Sequence, residues 1–324
     1  MKKIFSHHLF LFLSKSSILV GGQAVIEGVM MRVPGFISTA VRSPEGNIVT
    51  KRQEFNALIQ RKSYLNRPII RGAVNLFEAM KIGLGTLQWS ADIAFPEEKQ
   101  KSNKFFDIFM TLFSILLALS LFVFLPLTLT TILFNSEQNP ISYNIISGAF
   151  RISIFLLYLY IISKTKDAKR LFQYHGAEHM VVYTFENGDE LNVNQASKYP
   201  TQHPRCGTSF MFIIMLVAII SFIIIDQIFI SIFGSITLLN RLAMHILFIP
   251  LVSGIGYEIL KFSSLNPNNI FLYYFTKPGI WLQNITTNQP DTDQLEVSLE
   301  ALKSAFGDTL PKYEGEQHIA DAIA

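Results

Sequence analysis

Residues 174–180 read YHGAEHM, which places two histidines and a glutamate within five positions. His175 and His179 stand four apart, and Glu178 lies three beyond His175. On an α-helix all three project from one face, because residues three and four apart are neighbours on the helix surface. Two imidazoles so placed can hold one tetrahedral zinc ion. A carboxylate beside them can orient or deprotonate water. The order H-x-x-E-H reverses the commoner zincin order and matches the inverzincin peptidases. The same five residues also fit a plain polar helix face, with imidazoles bonded to lipid headgroups or backbone.

A second cluster follows at 203–209, HPRCGTS. His203 and Cys206 are both competent zinc ligands, and thiolate with imidazole favours zinc over magnesium or calcium. The candidate metal set is therefore His175, His179, His203 and Cys206, with Glu178 as general base. If all four ligands bind, the zinc is closed and structural; three leave a position open for chemistry. Glu27 and Arg32 in VIEGVMMR are expected to form a buried structural pair, ahead of any role for Glu27 as a carboxylate ligand.

These groups need a scaffold. The chain has 324 residues, 50% hydrophobic and 16% charged, with a mean hydropathy of +0.34. That is too apolar for an ordinary soluble domain and too polar for a chain wholly within a bilayer. Cys206 is the single cysteine, which excludes an internal disulfide and a cysteine-only zinc site. A net charge of +3 gives no argument for nucleic acid. The first residues, MKKIFSHHLFLFL, mimic a signal peptide but lack an A-x-A cleavage site, and are read as retained sequence.

Uninterrupted apolar runs predict four membrane spans near 105–134, 143–163, 209–233 and 242–262, each long enough to cross about 30 Å of hydrocarbon. Pro126 is expected to kink the first. Lys99, Lys101 and Lys104 precede the first span, and Lys164, Lys166, Lys169 and Arg170 follow the second, whereas loop 136–140 carries no base. Basic flanks mark the cytoplasmic side. The expected localisation is thus the cell membrane, multi-pass, with both termini and the His-rich loop 164–208 cytoplasmic. Charges within spans are costly and suspect. Arg151, Asp226 and His245 are expected to form a lock, and Glu258 to meet the metal cluster or to pair with Lys261 or Tyr257.

The expected fold is an α-helical integral membrane protein with about four transmembrane helices plus a small cytoplasmic α+β portion. Residues 1–98 form a cytoplasmic region, with a hairpin at 40–49 around SPEGN and a helix at 68–95. That helix shows Ile70, Val74, Phe77, Met80, Leu84 and Leu87 on one face, directed to the bilayer surface or the hairpin. Residues 99–263 form the membrane domain, and 264–324 a cytoplasmic tail. In the tail Leu295, Leu299, Leu302 and Phe306 share one face of a helix over 291–306. Residues after Pro311 are expected to stay mobile.

The blocks GGQAVIEGVMMR (21–32), RGAVNLFEAM (71–80), YHGAEH (174–179), HPRCGTSF (203–210) and PGIWLQNITTNQP (278–290) resemble the YqhQ-type bacterial membrane protein family. They run over nearly the whole chain. The resemblance implies an integral membrane protein, sometimes labelled a predicted metal-dependent enzyme on the strength of the same histidines, with no assigned substrate. Two functions follow from the residues: a zinc-dependent hydrolase at the cytoplasmic membrane face, or a non-catalytic membrane protein stapled by a structural metal or hydrogen-bond cluster and serving assembly or envelope maintenance. Transport through the intramembrane charges is weakest, since no inverted repeat is detectable. The lipid bilayer is the expected partner in either case.

Overall fold

The structure is a computed structural model that describes residues 18, 20–97, 104–265 and 270–318. The N-terminal stretch read as retained sequence lies outside these residues.

Among the described residues, four helical stretches are long and apolar enough to cross a membrane: Ile108–Leu133, Pro140–Ile162, Phe210–Phe233 and Leu238–Ser263. The first stretch belongs to α2 (Lys104–Leu119), a π-helical turn (Ser120–Phe124) and α3 (Leu125–Leu133). The irregularity has a local cause. Pro126 has no N–H for the carbonyl of Phe122 four residues earlier, and Arg151 Nε donates to that carbonyl instead, at 3.0 Å. The other three stretches belong to α4 (Pro140–Ile162), α6 (Gly207–Phe233) and α7 (Leu238–Leu265).

Because α7 begins at Leu238, Arg241 lies in its first turn rather than in a loop. Arg241 and Asp226 are both fully buried. The Asp226 carboxylate accepts from Arg241 Nε and Asn144 Nδ2, each at 2.7 Å, and from His245 Nε2 at 3.3 Å. The lock therefore forms with Arg241, and Arg151 is spent on the Phe122 carbonyl. Glu258 does not meet the metal cluster either. Its two oxygens accept from Arg71 at 2.7 and 2.5 Å, tying α7 to α1 (Ile70–Ala94).

Residues 21–54 form a four-stranded antiparallel meander, β1 (Gly21–Val25), β2 (Gly28–Val33), β3 (Phe36–Arg42) and β4 (Ile48–Glu54), paired in sequence order. Strand alternation divides the side chains between two cores. Val29, Met31 and Val33 face α5 (Lys166–Glu186) and α9 (Thr292–Phe306), where Tyr174, Val181, Phe185, Leu295 and Phe306 also pack. Met30 and Ile37 face the other way, toward Ala94 and Leu87 of α1.

Of the apolar face expected on α1, Leu87 packs against the sheet core. Ile70, Phe77, Met80 and Leu84 are exposed, and the helix buries its small residues Gly72, Gly83, Thr86, Ser90 and Ala94 instead. Small residues let α1 approach the sheet and α7 closely. Helix α9 starts at Asp291 in a capping box, with the Asp291 and Gln294 side chains each accepting the other's backbone N–H. It buries Leu295, Leu299, Leu302 and Phe306. Residues 312–318 fold back, contrary to the mobile end expected there; the rest of that end, 319–324, lies outside the described residues. The His318 ring stacks on Phe185 with centroids 4.6 Å apart, and the His318 backbone N–H donates to Glu186 O at 2.9 Å.

Candidate metal centre

Helix α5 carries the histidines because its two sides meet different partners. Tyr174, Ala177, Val181 and Phe185 enter the core against the sheet and α9. That leaves His175, Glu178 and His179 to face the start of α6 and the edge of β1. The segment following α8 (Ile270–Thr286) crosses α5 at Gly176. A Cβ at Gly176 would stand 2.2 Å from the Asn288 carbonyl oxygen, so only glycine permits this approach.

The crossing segment fixes the first imidazole. His175 Nδ1 lies 2.8 Å from the Thr286 carbonyl in the last turn of α8, where helix carbonyls have no partner of their own. His179 Nδ1 lies 2.5 Å from the Thr201 carbonyl. A carbonyl only accepts, so both Nδ1 atoms carry hydrogen and both Nε2 atoms keep a lone pair. His175 Nε2 sits 3.2 Å from Cys206 Sγ. Nitrogens of His175 and His179 and the sulfur of Cys206 lie within 4.8 Å of one another. Cys206 caps α6, its sulfur accepting from Thr208 N at 3.4 Å.

His203, the fourth ligand expected, stands outside this trio. Its ring centroid is 5.5 Å from that of His179. Its Nδ1 accepts from Arg205 N at 3.4 Å and its Nε2 points to Glu186 at 3.5 Å. Gln283 of α8 grips its backbone, accepting from His203 N at 2.7 Å and donating to His203 O at 2.8 Å. Arg205, paired with Glu186, draws the loop the same way. Burial pushes the His203 pKa down to about 4 and lowers that of His179 as well.

Glu178 is 5% exposed and holds its Oε2 3.5 Å from His179 Nε2. Burial raises its pKa, against the neighbouring histidines and a hydrogen bond from the Gly22 N–H. A buried carboxyl with raised proton affinity beside an imidazole pair suits a general base.

A family model described as "Protein of unknown function (DUF1385)" matches residues 67–308, which include the trio and α8. The chain belongs to the DUF1385 family. It is also 29% identical over 301 residues to "Uncharacterized protein YqhQ" of Bacillus subtilis (strain 168), covering 87% of this chain and 90% of that protein. No solved structure matches it.

In this DUF1385 chain the trio and Glu178 open onto a cavity of about 260 Å³ that Gly22 and Gln23 of β1 also line. The sheet thus lines the site although it precedes the family match. Glu27 does not reach it. Both its carboxylate oxygens pair with Arg170, and it occupies the turn before β2 at φ +51°. Arg32, its expected partner, lies over the Phe55 ring at 4.4 Å. The turn between β1 and β2 separates the two side chains. Thr286, Thr201 and Gln283 were missed from sequence. Two of them act through backbone atoms, which no side-chain pattern encodes.

Proposed function

We propose that this protein is a membrane-bound, zinc-dependent hydrolase working at the cytoplasmic membrane face. One observation carries the reading: two backbone carbonyls hold His175 and His179 in the tautomer whose Nε2 lone pairs approach the Cys206 sulfur. Pinning of the far ring nitrogen is the outer-shell arrangement typical of metal-bound imidazole. Two imidazoles and a thiol fit zinc better than a harder cation. His175, His179 and Cys206 would hold the ion.

Zinc, when bound, supplies Lewis acidity, polarising a carbonyl or phosphoryl oxygen and making water nucleophilic near neutral pH. Glu178 takes the proton from attacking water at its carboxylate and returns it to the leaving group. Gly22 orients that carboxylate through its N–H. The structural-metal form of the alternative needs a fourth protein ligand, and His203 is engaged by Glu186 and Arg205. Three ligands beside a cavity favour the open, catalytic form. A peptide or a lipid-linked molecule at the cytoplasmic face is the proposed substrate.

Purified Glu178→Gln protein is expected to retain zinc and to lose hydrolysis in a screen of fluorogenic peptides and lipid esters. His179→Ala should lose both. Full hydrolysis by Glu178→Gln would remove the assigned base. For orientation, a reporter fused after Gln138 should report outside the cytoplasm and one after Glu190 inside; the reverse would move the site to the other face.

A further inference from the structure

The register of β1 leaves a strand edge open beside Glu178. Val25 pairs with Gly28 across a two-residue turn. Residues 21, 23 and 25 therefore exchange backbone bonds with β2, while 22 and 24 turn their N–H and C=O groups outward. Two outward N–H groups on this edge are satisfied: Gly22 donates to the Glu178 carboxylate, and Ile26 to Ser90 Oγ at 3.1 Å. Between them, Ala24 N–H and C=O have no hydrogen-bond partner among the described residues. Gly22 and Gln23 line the same cavity as the histidines. An unpaired strand edge is a ready template for another extended backbone.

We propose that this edge takes an extended polypeptide substrate as a fifth strand, laying a peptide carbonyl against the His175/His179/Cys206 group. The inference rests on the hydrolase reading and narrows its substrate to a peptide. Only a polypeptide alternates donors and acceptors at the spacing Ala24 presents; an acyl chain would leave them unpaired. Met30, Ile37 and Ile82 on the cavity wall offer apolar surface to a substrate side chain. In the reaction the water oxygen bonds to the peptide carbonyl carbon and the C–N bond breaks. The proton accepted by Glu178 passes to the departing amine nitrogen.

Binding to the full-length, zinc-loaded protein in detergent tests this without relying on turnover. The probes are acetohydroxamate, a leucyl-leucine hydroxamate with an N-acetyl cap, and its twin with N-methylated backbone amides. The capped peptide is expected to bind at least about fivefold more tightly than its N-methylated twin, the scale of one lost hydrogen bond. Ala24→Pro removes the outward N–H without touching the β2 ladder. It should weaken the peptide by a similar factor and leave acetohydroxamate unchanged. A smaller N-methyl effect on wild-type protein, with acetohydroxamate still bound, would overturn strand addition alone. Failure of wild-type protein to bind acetohydroxamate would overturn the metal-site reading and this inference with it.

Discussion

His175 Nε2 and Cys206 Sγ lie 3.2 Å apart although 31 positions separate them in sequence. Ligand atoms around a tetrahedral zinc are about 3.5 Å apart, given the usual Zn–N and Zn–S lengths. The pair is therefore near ligand spacing through protein contacts alone. The Thr286 carbonyl holds the imidazole from behind, and the start of α6 holds the sulfur.

Gly22 sets the position of the proposed base. A Cβ there would lie 2.5 Å from Met30 O and 2.8 Å from Glu178 Cγ. Relieving the first contact shifts β1 against β2, and relieving the second moves the glutamate. Gly22→Ala is expected to displace Glu178, destabilise the fold by roughly 1–3 kcal/mol through overpacking, and cut hydrolysis while zinc content is kept. Wild-type hydrolysis in this variant would show that Glu178 placement is not critical.

The buried pair of Asp226 and Arg241 should matter for stability rather than for the metal. Asp226→Ala leaves a fully buried guanidinium without its carboxylate, at a cost of roughly 3–5 kcal/mol. Replacing both, Asp226→Leu with Arg241→Met, is expected to restore much of that loss. Unfolding in detergent would measure both, and a single variant as stable as wild type would refute the lock.

Much of the scaffold was legible because its signals are local. Leu295, Leu299, Leu302 and Phe306 repeat at helical spacing behind a capping Asp291, and the turn 43–47 carries its own glycine. What stayed hidden depends on distant partners. Glu27 sits at positive φ, where asparagine or glycine would have announced the turn. The helix Ile270–Thr286 has Pro278 and Gly279 inside it, which interrupt its helical signal within the stretch expected as tail. Arg241 followed a loop in sequence, and only the earlier start of its helix brings it onto Asp226. His203 has the right chemistry and spacing for zinc, yet Glu186 and Gln283, from two other elements, turn it away.

The low pKa of His203 has a sign that can be checked in metal-free protein. Its unfolded value is near 6.5 and its folded value about 4. Between these the unfolded chain binds a proton that the folded chain refuses, so stability falls as pH drops through the interval. The whole effect is on the order of 3 kcal/mol. Glu178, raised by burial, works oppositely, so the comparison must isolate His203. His203→Gln should flatten the acid side of the stability curve relative to wild type. An unchanged slope would mean that His203 is not held neutral by burial.

X-ray absorption at the zinc edge of purified protein tests the metal centre most directly. One sulfur at about 2.3 Å and two imidazole nitrogens at about 2.0–2.1 Å are expected, with a further light ligand filling the open position. Cys206→Ser should remove the sulfur signal, and His175→Ala with His179→Ala should abolish binding. Protein that retains no zinc, or zinc with no sulfur neighbour, would contradict the assignment of His175, His179 and Cys206 as its ligands.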